Sequence, residues 1–178
     1  VEATVSHAEN LIKQGLHGVF FFGSTGQSQL ISNTEKKELI SNISHNKFKK
    51  NFFLGTGCNS LNETLDLIGY GKNYNFDTYL IMPPAYYKGN SDQGVYNFFS
   101  LIIEKYKNIK IILYNFEKLS GYKFSKEIVS KLVKDFRKNI IGCKDSTYNL
   151  FNNLKIKNFL MFPGSEEKLL LGLEKGCD

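Results

Sequence analysis

The stretch "IKIILYNFEKLSGYKFSKEIVSKLVKDFRKNIIGCKDS", residues 109–146, decides the fold class. It contains two short runs rich in β-branched and apolar residues, Ile109–Asn115 and Ile140–Asp145, and an amphipathic segment between them, Ser125–Phe136. A strand, a helix and a second strand at this spacing are typical of a βαβ unit, whose two strands run parallel. The stretch therefore predicts an α/β fold.

The same alternation of strand-like and helix-like segments continues along the whole chain, which favours one parallel sheet in a single domain, residues 1–178. Six strands allow either an open doubly wound sheet or part of a (β/α)8 barrel, since a complete barrel has eight strands and about 250 residues. Asn33 or Thr34, Ser60, Ser91 and Ser125 are the expected helix N-caps, and Ser60 with Glu63 has the spacing of a capping box. The predicted strands are Val19–Gly23, Phe52–Gly57, Thr78–Pro83, Ile109–Asn115, Ile140–Asp145 and Phe159–Gly164, and the predicted helices are Glu2–Gln14, Thr34–His45, Leu61–Lys72, Ser91–Lys107, Ser125–Phe136 and Glu166–Lys175.

Composition and charge exclude several classes of protein. The net charge of +6 comes from scattered lysines, and Arg137 is the only arginine among the 23 basic residues, whereas nucleic-acid readers depend on arginine and on clustered charge. No apolar run has the roughly 18 to 20 residues of a membrane span, and the first residues do not resemble a signal peptide. Cys58, Cys143 and Cys177 lie far apart without a CxxC pair, which favours reduced thiols over a zinc site or a disulfide. We expect a cytoplasmic protein that binds neither nucleic acid nor membrane and holds no metal.

The segment "FFFGSTGQS", residues 20–28, ends the first predicted strand. Gly23 and Gly26 flank Ser24 and Thr25, so that backbone amides and two hydroxyls can converge on an anion. An ordinary strand-to-helix turn is the alternative interpretation. A second loop, "MPPAYYKG" at 82–89, presents two tyrosines behind adjacent prolines, and such tyrosines commonly serve packing or an interface.

Tyr114 and Lys144 end two further predicted strands. Strand alternation places Gly142 and Lys144 on one face, and we expect Gly142 to leave space directly beneath the lysine. A desolvated amine there becomes a nucleophile toward a carbonyl, although an ion pair or a side chain that reaches water is equally compatible. A phenol at Tyr114 can relay a proton, or it can simply close the core.

An anion-binding turn, a phenol and a strand-end lysine together suit a 2-keto acid. The turn would hold the carboxylate while the lysine attacks the ketone and forms an imine, and tyrosine would transfer protons. The protonated imine is itself the electron sink, so this chemistry requires no metal and no organic cofactor.

These motifs resemble those of the dihydrodipicolinate synthase and N-acetylneuraminate lyase family, which are class I, pyruvate-dependent aldolases and lyases. The resemblance covers nearly the whole chain, including "FPGSEEKLLLGLEKGCD" at its end. The matching motifs, in order, are Gly23-Ser24-Thr25-Gly26-Gln27, the paired-tyrosine loop Pro84 to Tyr87, Tyr114-Asn115-Phe116-Glu117 and Gly142-Cys143-Lys144-Asp145-Ser146.

The resemblance implies a (β/α)8 TIM barrel of which this sequence contains strands two to seven, without the first strand and the C-terminal end. Such a fragment by itself would expose unpaired strand edges, and we expect it to be poorly soluble and inactive. The resemblance further implies that Lys144 is the Schiff-base lysine, that Tyr114 is the proton relay, and that Gly23, Ser24 and Thr25 form the pyruvate carboxylate site, with Thr25 also catalytic. Tyr87 resembles a tyrosine that family members lend to the active site of a neighbouring subunit, which implies that Tyr87 is catalytic there and that the protein is a homo-oligomer, a dimer or a tetramer.

Departures from the family pattern bear on the substrate. Leu119 stands where synthases that use aspartate semialdehyde carry an arginine, and the loss of that fork disfavours a second carboxylate. Gln27 replaces a glutamate and Glu117 replaces a proline beside Tyr114. The remaining residues expected near the substrate are Leu119, Ser146, Gly164, Ser165 and Glu166.

We therefore expect a lyase or aldolase that makes or breaks a carbon–carbon bond between pyruvate and an aldehyde, acting on a sugar-derived 2-keto acid. The alternatives within the same chemistry are dihydrodipicolinate synthase (4-hydroxy-tetrahydrodipicolinate synthase, of lysine biosynthesis) and a keto-acid dehydratase. A non-catalytic homologue that binds a keto acid as a sensor, and an open sheet that binds a nucleotide, are alternatives from other classes.

Overall fold

The computed structural model describes all 178 residues, which form two compact units, Val1–Leu80 and Ile81–Asp178. In each unit strands alternate with helices along the chain. The elements of the first unit are α1 (Glu2–Lys13), β1 (Val19–Phe21), α2 (Asn33–Ile43), β2 (Phe52–Gly55), α3 (Leu61–Asn73) and β3 (Thr78–Ile81, whose last residue begins the second unit). The elements of the second unit are α4 (Asp92–Lys105), β4 (Lys110–Asn115), α5 (Glu117–Ser120), α6 (Lys126–Asp135), β5 (Ile140–Asp145), β6 (Leu160–Pro163) and α7 (Leu169–Glu174). Single 3-10 turns lie at Ser28–Leu30, Lys49–Asn51 and Glu166–Lys168.

The strands pair in parallel and in chain order within each unit, as the sequence predicts. In the first unit β1 pairs with β2, and β2 pairs with β3. In the second unit β4 pairs with β5, and β5 pairs with β6. Parallel strands require helical crossovers, and α2, α3 and α6 follow β1, β2 and β4 as those crossovers. The carboxyl ends of the strands in each unit therefore point the same way.

Each unit has its own apolar core between strands and helices. In the first unit Ile40 of α2, Leu54 of β2 and Ile68 of α3 are fully buried. In the second unit Leu113 of β4 and Leu132 of α6 are fully buried. Burying a leucine or isoleucine side chain contributes about 1.5 to 3 kcal/mol, so these positions stabilise the scaffold on which the strand ends stand.

Five of the six predicted strands are longer than the observed ones, and the first three run two residues past the observed carboxyl end. The first ends at Phe21 because Phe22 has a φ of 62°, a left-handed conformation that breaks the extended backbone. The second ends at Gly55, shortly before Gly57 with its φ of 56°. The third ends at Ile81, two residues before the first proline of its loop. In each case the residues just beyond the observed strand belong to the loop that follows it.

The prediction of helix N-caps was right at three helices and wrong at one. Ser60, Ser91 and Ser125 each accept a hydrogen bond from the backbone amide three residues later. The N-cap of α2 is Ser32, however, and not Asn33 or Thr34. The capping box also lies there: the Ser32 hydroxyl accepts from the Glu35 amide at 3.3 Å, and the Glu35 carboxylate accepts from the Ser32 amide at 2.9 Å. At Ser60 only the serine half of that motif is formed.

The three cysteines are unpaired. No helix combines the length and the apolar composition that a membrane span requires.

Candidate active site

Lys144 and Tyr114 are neighbours at the carboxyl ends of two paired strands. The register of β4 and β5 places Tyr114 directly opposite Lys144, and the ammonium nitrogen of Lys144 lies 4.6 Å from the centroid of the Tyr114 ring. Tyr114 is 5% exposed, whereas Lys144 is half-buried. A cation over an aromatic face at this distance is an attractive contact, so the lysine is held beside the phenol ring.

Gly142, below Lys144 on the same face of β5, has a different role from the one expected. A Cβ atom at this position would lie only 2.7 Å from the carbonyl oxygen of Leu160 on β6. The expectation of open space beneath the lysine was therefore wrong, because the backbone of β6 fills it. The glycine instead permits the close approach of β6 to β5.

Asp145, on the opposite face of β5 from Lys144, is fully buried. Its carboxylate accepts four hydrogen bonds: from the Asn115 side-chain amide at 2.7 Å and from three backbone amides of the next loop. Cys143, also fully buried, has a pKa well above the usual range, mainly because burial disfavours the thiolate and secondly because the Asp145 charge is close. Cys143 is thus an inert core thiol, and Asp145 organises the strand end.

The segment after Tyr114 explains how Glu117 fits where the family pattern has proline. Glu117 begins the short helix α5, and its backbone amide donates to the Thr147 hydroxyl at 2.8 Å. A proline has no amide hydrogen and could not make this bond. The ring of Phe116 packs 5.8 Å from that of Tyr114, so the turn beside Tyr114 is held by a hydrogen bond and a ring contact.

Leu119 and the paired-tyrosine loop are linked by a lysine. Lys88 donates to the carbonyl of Leu119 at 2.7 Å and to that of Ala85 at 2.8 Å, which ties the loop to α5. Leu119 is 39% exposed, and the rings of Tyr86 and Tyr87 are among the most exposed aromatic groups of the chain. The two rings meet edge to face at 5.1 Å. The structure thus presents Tyr87 on an anchored, exposed loop.

Four residues that follow β5 and β6 were expected near the substrate: Ser146, Gly164, Ser165 and Glu166. Gly164 packs against Ser146 so closely that any side chain at 164 would overlap the Ser146 hydroxyl, which is itself buried without a hydrogen-bond partner. Ser165 caps the following 3-10 turn, since its hydroxyl accepts from the Glu167 amide at 3.2 Å. Glu166 is exposed. Ser146 and Gly164 are therefore adjacent, while the Ser165 hydroxyl is engaged in a cap.

In the first unit, Gly23, Ser24 and Thr25 lie in a tight turn after β1. The amides of Gln27 and Ser28 donate to the carbonyls of Ser24 and Gly23 at 3.0 and 3.4 Å, so these two amides serve the turn itself. Thr25 is exposed and Ser24 is half-buried. The turn is thus closed by its own backbone hydrogen bonds.

The profile of the dihydrodipicolinate synthetase family matches residues 1–178, the whole of the chain. The chain belongs to the dihydrodipicolinate synthetase family. Among curated relatives, it is 31% identical over 165 residues to a 4-hydroxy-tetrahydrodipicolinate synthase of Karelsulcia muelleri, covering 88% of this chain and 54% of the relative. It is 30% identical over 144 residues to YagE of Escherichia coli, a putative 2-dehydro-3-deoxy-D-gluconate aldolase, covering 80% of this chain and 47% of the relative.

Solved structures of the dihydrodipicolinate synthetase family share the fold. The crystal structure of dihydrodipicolinate synthase from Agrobacterium tumefaciens matches with a TM-score of 0.86 at 26% identity, over 99% of this chain and 64% of that one. YagE in complex with pyruvate matches with a TM-score of 0.87 at 25% identity, over 98% and 61%. The predicted α/β fold, part of a TIM barrel, is confirmed. The chain spans about half the length of the curated relatives it matches.

The sequence analysis quoted Asn115 and Asp145 within two motifs but gave neither of them a role, and it did not single out Asn149. Asn115 and Asp145 directly follow Tyr114 and Lys144, and the side chains of Asn115 and Asn149 are hydrogen-bonded at 2.8 Å. For Asn115 and Asp145 the available signal was a polar residue at the end of an apolar strand, on the face opposite Tyr114 and Lys144.

Proposed function

We propose that the protein to which this chain belongs is a class I lyase or aldolase that forms a Schiff base with pyruvate through Lys144. One observation carries the proposal: the amine of Lys144 lies beside the ring of Tyr114 at the paired ends of β4 and β5. An amine held in a partly buried site next to a phenol has the two groups that imine formation requires, a nucleophile and a proton donor. Membership of a family with aldolase and synthase members supports the same chemistry.

The proposed reaction begins when the neutral amine of Lys144 attacks the ketone carbon of a 2-keto acid. The carbinolamine loses water to give a protonated imine, and Tyr114 donates the proton that the departing hydroxyl needs. In the cleavage direction, the Tyr114 phenolate left by that step takes the proton of the hydroxyl on the fourth carbon, the bond between the third and fourth carbons breaks, and its electron pair moves into the imine to form an enamine. The aldehyde departs, Tyr114 passes that proton to the third carbon of the enamine, and addition of water to the imine releases pyruvate and regenerates the amine and the phenol. The imine is the electron sink, so we propose that no further cofactor takes part.

We also propose roles for the other predicted residues, from the chemistry and the exposure of their side chains. We assign Ser24 and Thr25, with the turn at Gly23, to the carboxylate of the keto acid, because hydroxyls on a glycine-flanked turn after a strand suit an anion. We assign Tyr87 to the active site of a neighbouring subunit in a homo-oligomer, as a catalytic residue, since an exposed tyrosine on an anchored loop suits a contact between subunits. We place the protein in the cytoplasm.

The second substrate is proposed to be the aldehyde portion of a sugar-derived acid. The partly exposed Leu119 offers no charge for a second carboxylate, and the similarity to YagE, which carries the name putative 2-dehydro-3-deoxy-D-gluconate aldolase, supports this substrate class. The second candidate is dihydrodipicolinate synthase itself, which is favoured by the relatives that carry the name 4-hydroxy-tetrahydrodipicolinate synthase.

Substrate assays on the full-length protein distinguish these two functions. We expect pyruvate to be released from 2-keto-3-deoxy sugar acids at least about tenfold more efficiently, in kcat/KM, than pyruvate is condensed with aspartate semialdehyde, because a charge-assisted carboxylate contact missing at Leu119 is worth about 1.5 to 3 kcal/mol. A Leu119→Arg variant is the matched comparison. It should raise kcat/KM for condensation with aspartate semialdehyde relative to kcat/KM for pyruvate release from the sugar acids. Efficient condensation by the unaltered protein would assign it to the synthases instead.

A further inference from the structure

A buried polar cluster lies directly behind the Lys144–Tyr114 pair. Its two central members, Asn115 and Asp145, each follow one of these residues in sequence, so strand alternation turns them to the opposite face. Both are fully buried and directly opposite each other in the β4–β5 register. Their side chains are joined by a hydrogen bond of 2.7 Å from the Asn115 amide to Asp145.

Each oxygen of the Asp145 carboxylate accepts two hydrogen bonds. One oxygen accepts from Asn115 and from the Tyr148 backbone amide at 2.9 Å. The other accepts from the backbone amides of Leu150 and Phe151 at 2.8 and 3.0 Å. A buried carboxylate costs several kcal/mol unless hydrogen bonds compensate it, and four donors do so here. The carboxylate therefore joins the end of β5 to the loop that follows it.

Asn115 extends the cluster to the segment after β4. Its oxygen accepts from the Phe124 amide at 3.2 Å, and its amide also donates to Asn149, which in turn donates to the Phe124 carbonyl at 2.9 Å. The backbone continues the connection, because the Ser146 amide donates to the Asn115 carbonyl at 2.8 Å. The ends of both strands are thus fixed to each other by side chains and by backbone.

We propose that Asp145 is a positioning residue that, through Asn115, holds Lys144 beside Tyr114. This inference rests on the proposed Schiff-base function, since it assigns to the cluster the placement of that function's two groups. Asp145 acts through its neighbours and does not touch the reacting atoms. A small displacement of a reacting group is enough to cost about a hundredfold in rate, so a device that fixes two strand ends has a measurable effect.

The test is an Asp145→Asn variant of the full-length protein, assayed by the rate at which borohydride traps the pyruvate adduct. Asparagine has one acceptor oxygen, so two of the four donors lose their acceptor and face an amide group instead. We expect trapping to slow about 10- to 100-fold. If Asp145 had only a structural role, Tyr114→Phe would slow trapping by the same factor in the presence and in the absence of Asp145→Asn. If Asp145 is a positioning residue, trapping in the double variant should be no slower than in the slower of the two single variants.

A stability control and a milder variant complete the test. Leu132→Ala, which shortens a buried side chain of α6, should lower thermal stability and leave the trapping rate unchanged. If Asp145→Asn does not fold, Asn149→Ala takes its place, because it removes only the outer part of the cluster. We expect Asn149→Ala to slow trapping as well, by a smaller factor. Unchanged trapping in the variants, or effects that add to those of Tyr114→Phe, would overturn the proposal. Absence of any adduct in the unaltered protein would instead overturn the Schiff-base function itself.

Discussion

A Lys144→Arg protein is expected to fold normally and to lose turnover on the order of 10⁴-fold or more, the scale seen when a covalent nucleophile is removed. Arginine preserves the positive charge and its contact with the Tyr114 ring, but its guanidinium stays protonated and cannot attack a ketone. The loss should therefore appear in kcat. Steady-state release of pyruvate from a keto-acid substrate, together with circular dichroism to verify folding, measures it.

The matched control is Lys138→Arg, the same substitution just before the opposite end of the same strand. Lys138 is exposed and precedes β5, so its replacement should leave kcat within the error of the assay. If Lys144→Arg retained substantial turnover, another group would have to be the nucleophile.

A Tyr114→Phe protein is expected to lose about 10²- to 10⁴-fold in kcat, the usual contribution of a positioned acid or base. The substitution removes one oxygen from a buried ring and leaves the ring contact with Phe116 and the face toward Lys144 in place. KM for the keto acid should change far less than kcat, because the phenol acts mainly as protons move. Measuring both constants across pH separates the two effects.

Tyr96→Phe supplies the comparison, since Tyr96 donates its hydroxyl to Asp135 between α4 and α6. It removes a phenol hydroxyl of the same unit that has no assigned part in the reaction, and kcat should be unaffected. Equal kcat values for Tyr114→Phe and the unaltered protein would show that Tyr114 only closes the core.

The positions of Lys144 and Tyr114 could be predicted because their signals are local. Apolar strands with period-two alternation identify the strand ends, and consecutive parallel strands bring those ends together. The register that sets Tyr114 opposite Lys144 could not be predicted in this way, because it depends on an irregularity in the pairing: Ile111 pairs with Ile140, whereas Ile112 pairs with Gly142. Motif resemblance added the chemical roles, which the alternation alone left open between catalysis and packing.

What could not be predicted depends on contacts between distant parts of the chain. Asn115 and Asp145 are 30 residues apart in sequence, and nothing in either segment alone shows that their side chains meet. Gly142 was misread for the same reason, because the atom that excludes a side chain belongs to Leu160. The capping box was predicted at the wrong helix for a different reason. Ser32 and Glu35 have the same spacing as Ser60 and Glu63, and only the side-chain geometry distinguishes the two pairs.

The central claim, an imine at Lys144, is tested most directly by borohydride reduction of the full-length protein in the presence of pyruvate, followed by peptide mass spectrometry. The account predicts one pyruvate-derived adduct, located on the peptide that contains Lys144 and missing from the Lys144→Arg protein. A folded protein that gives no adduct, or an adduct on a different lysine, would contradict it.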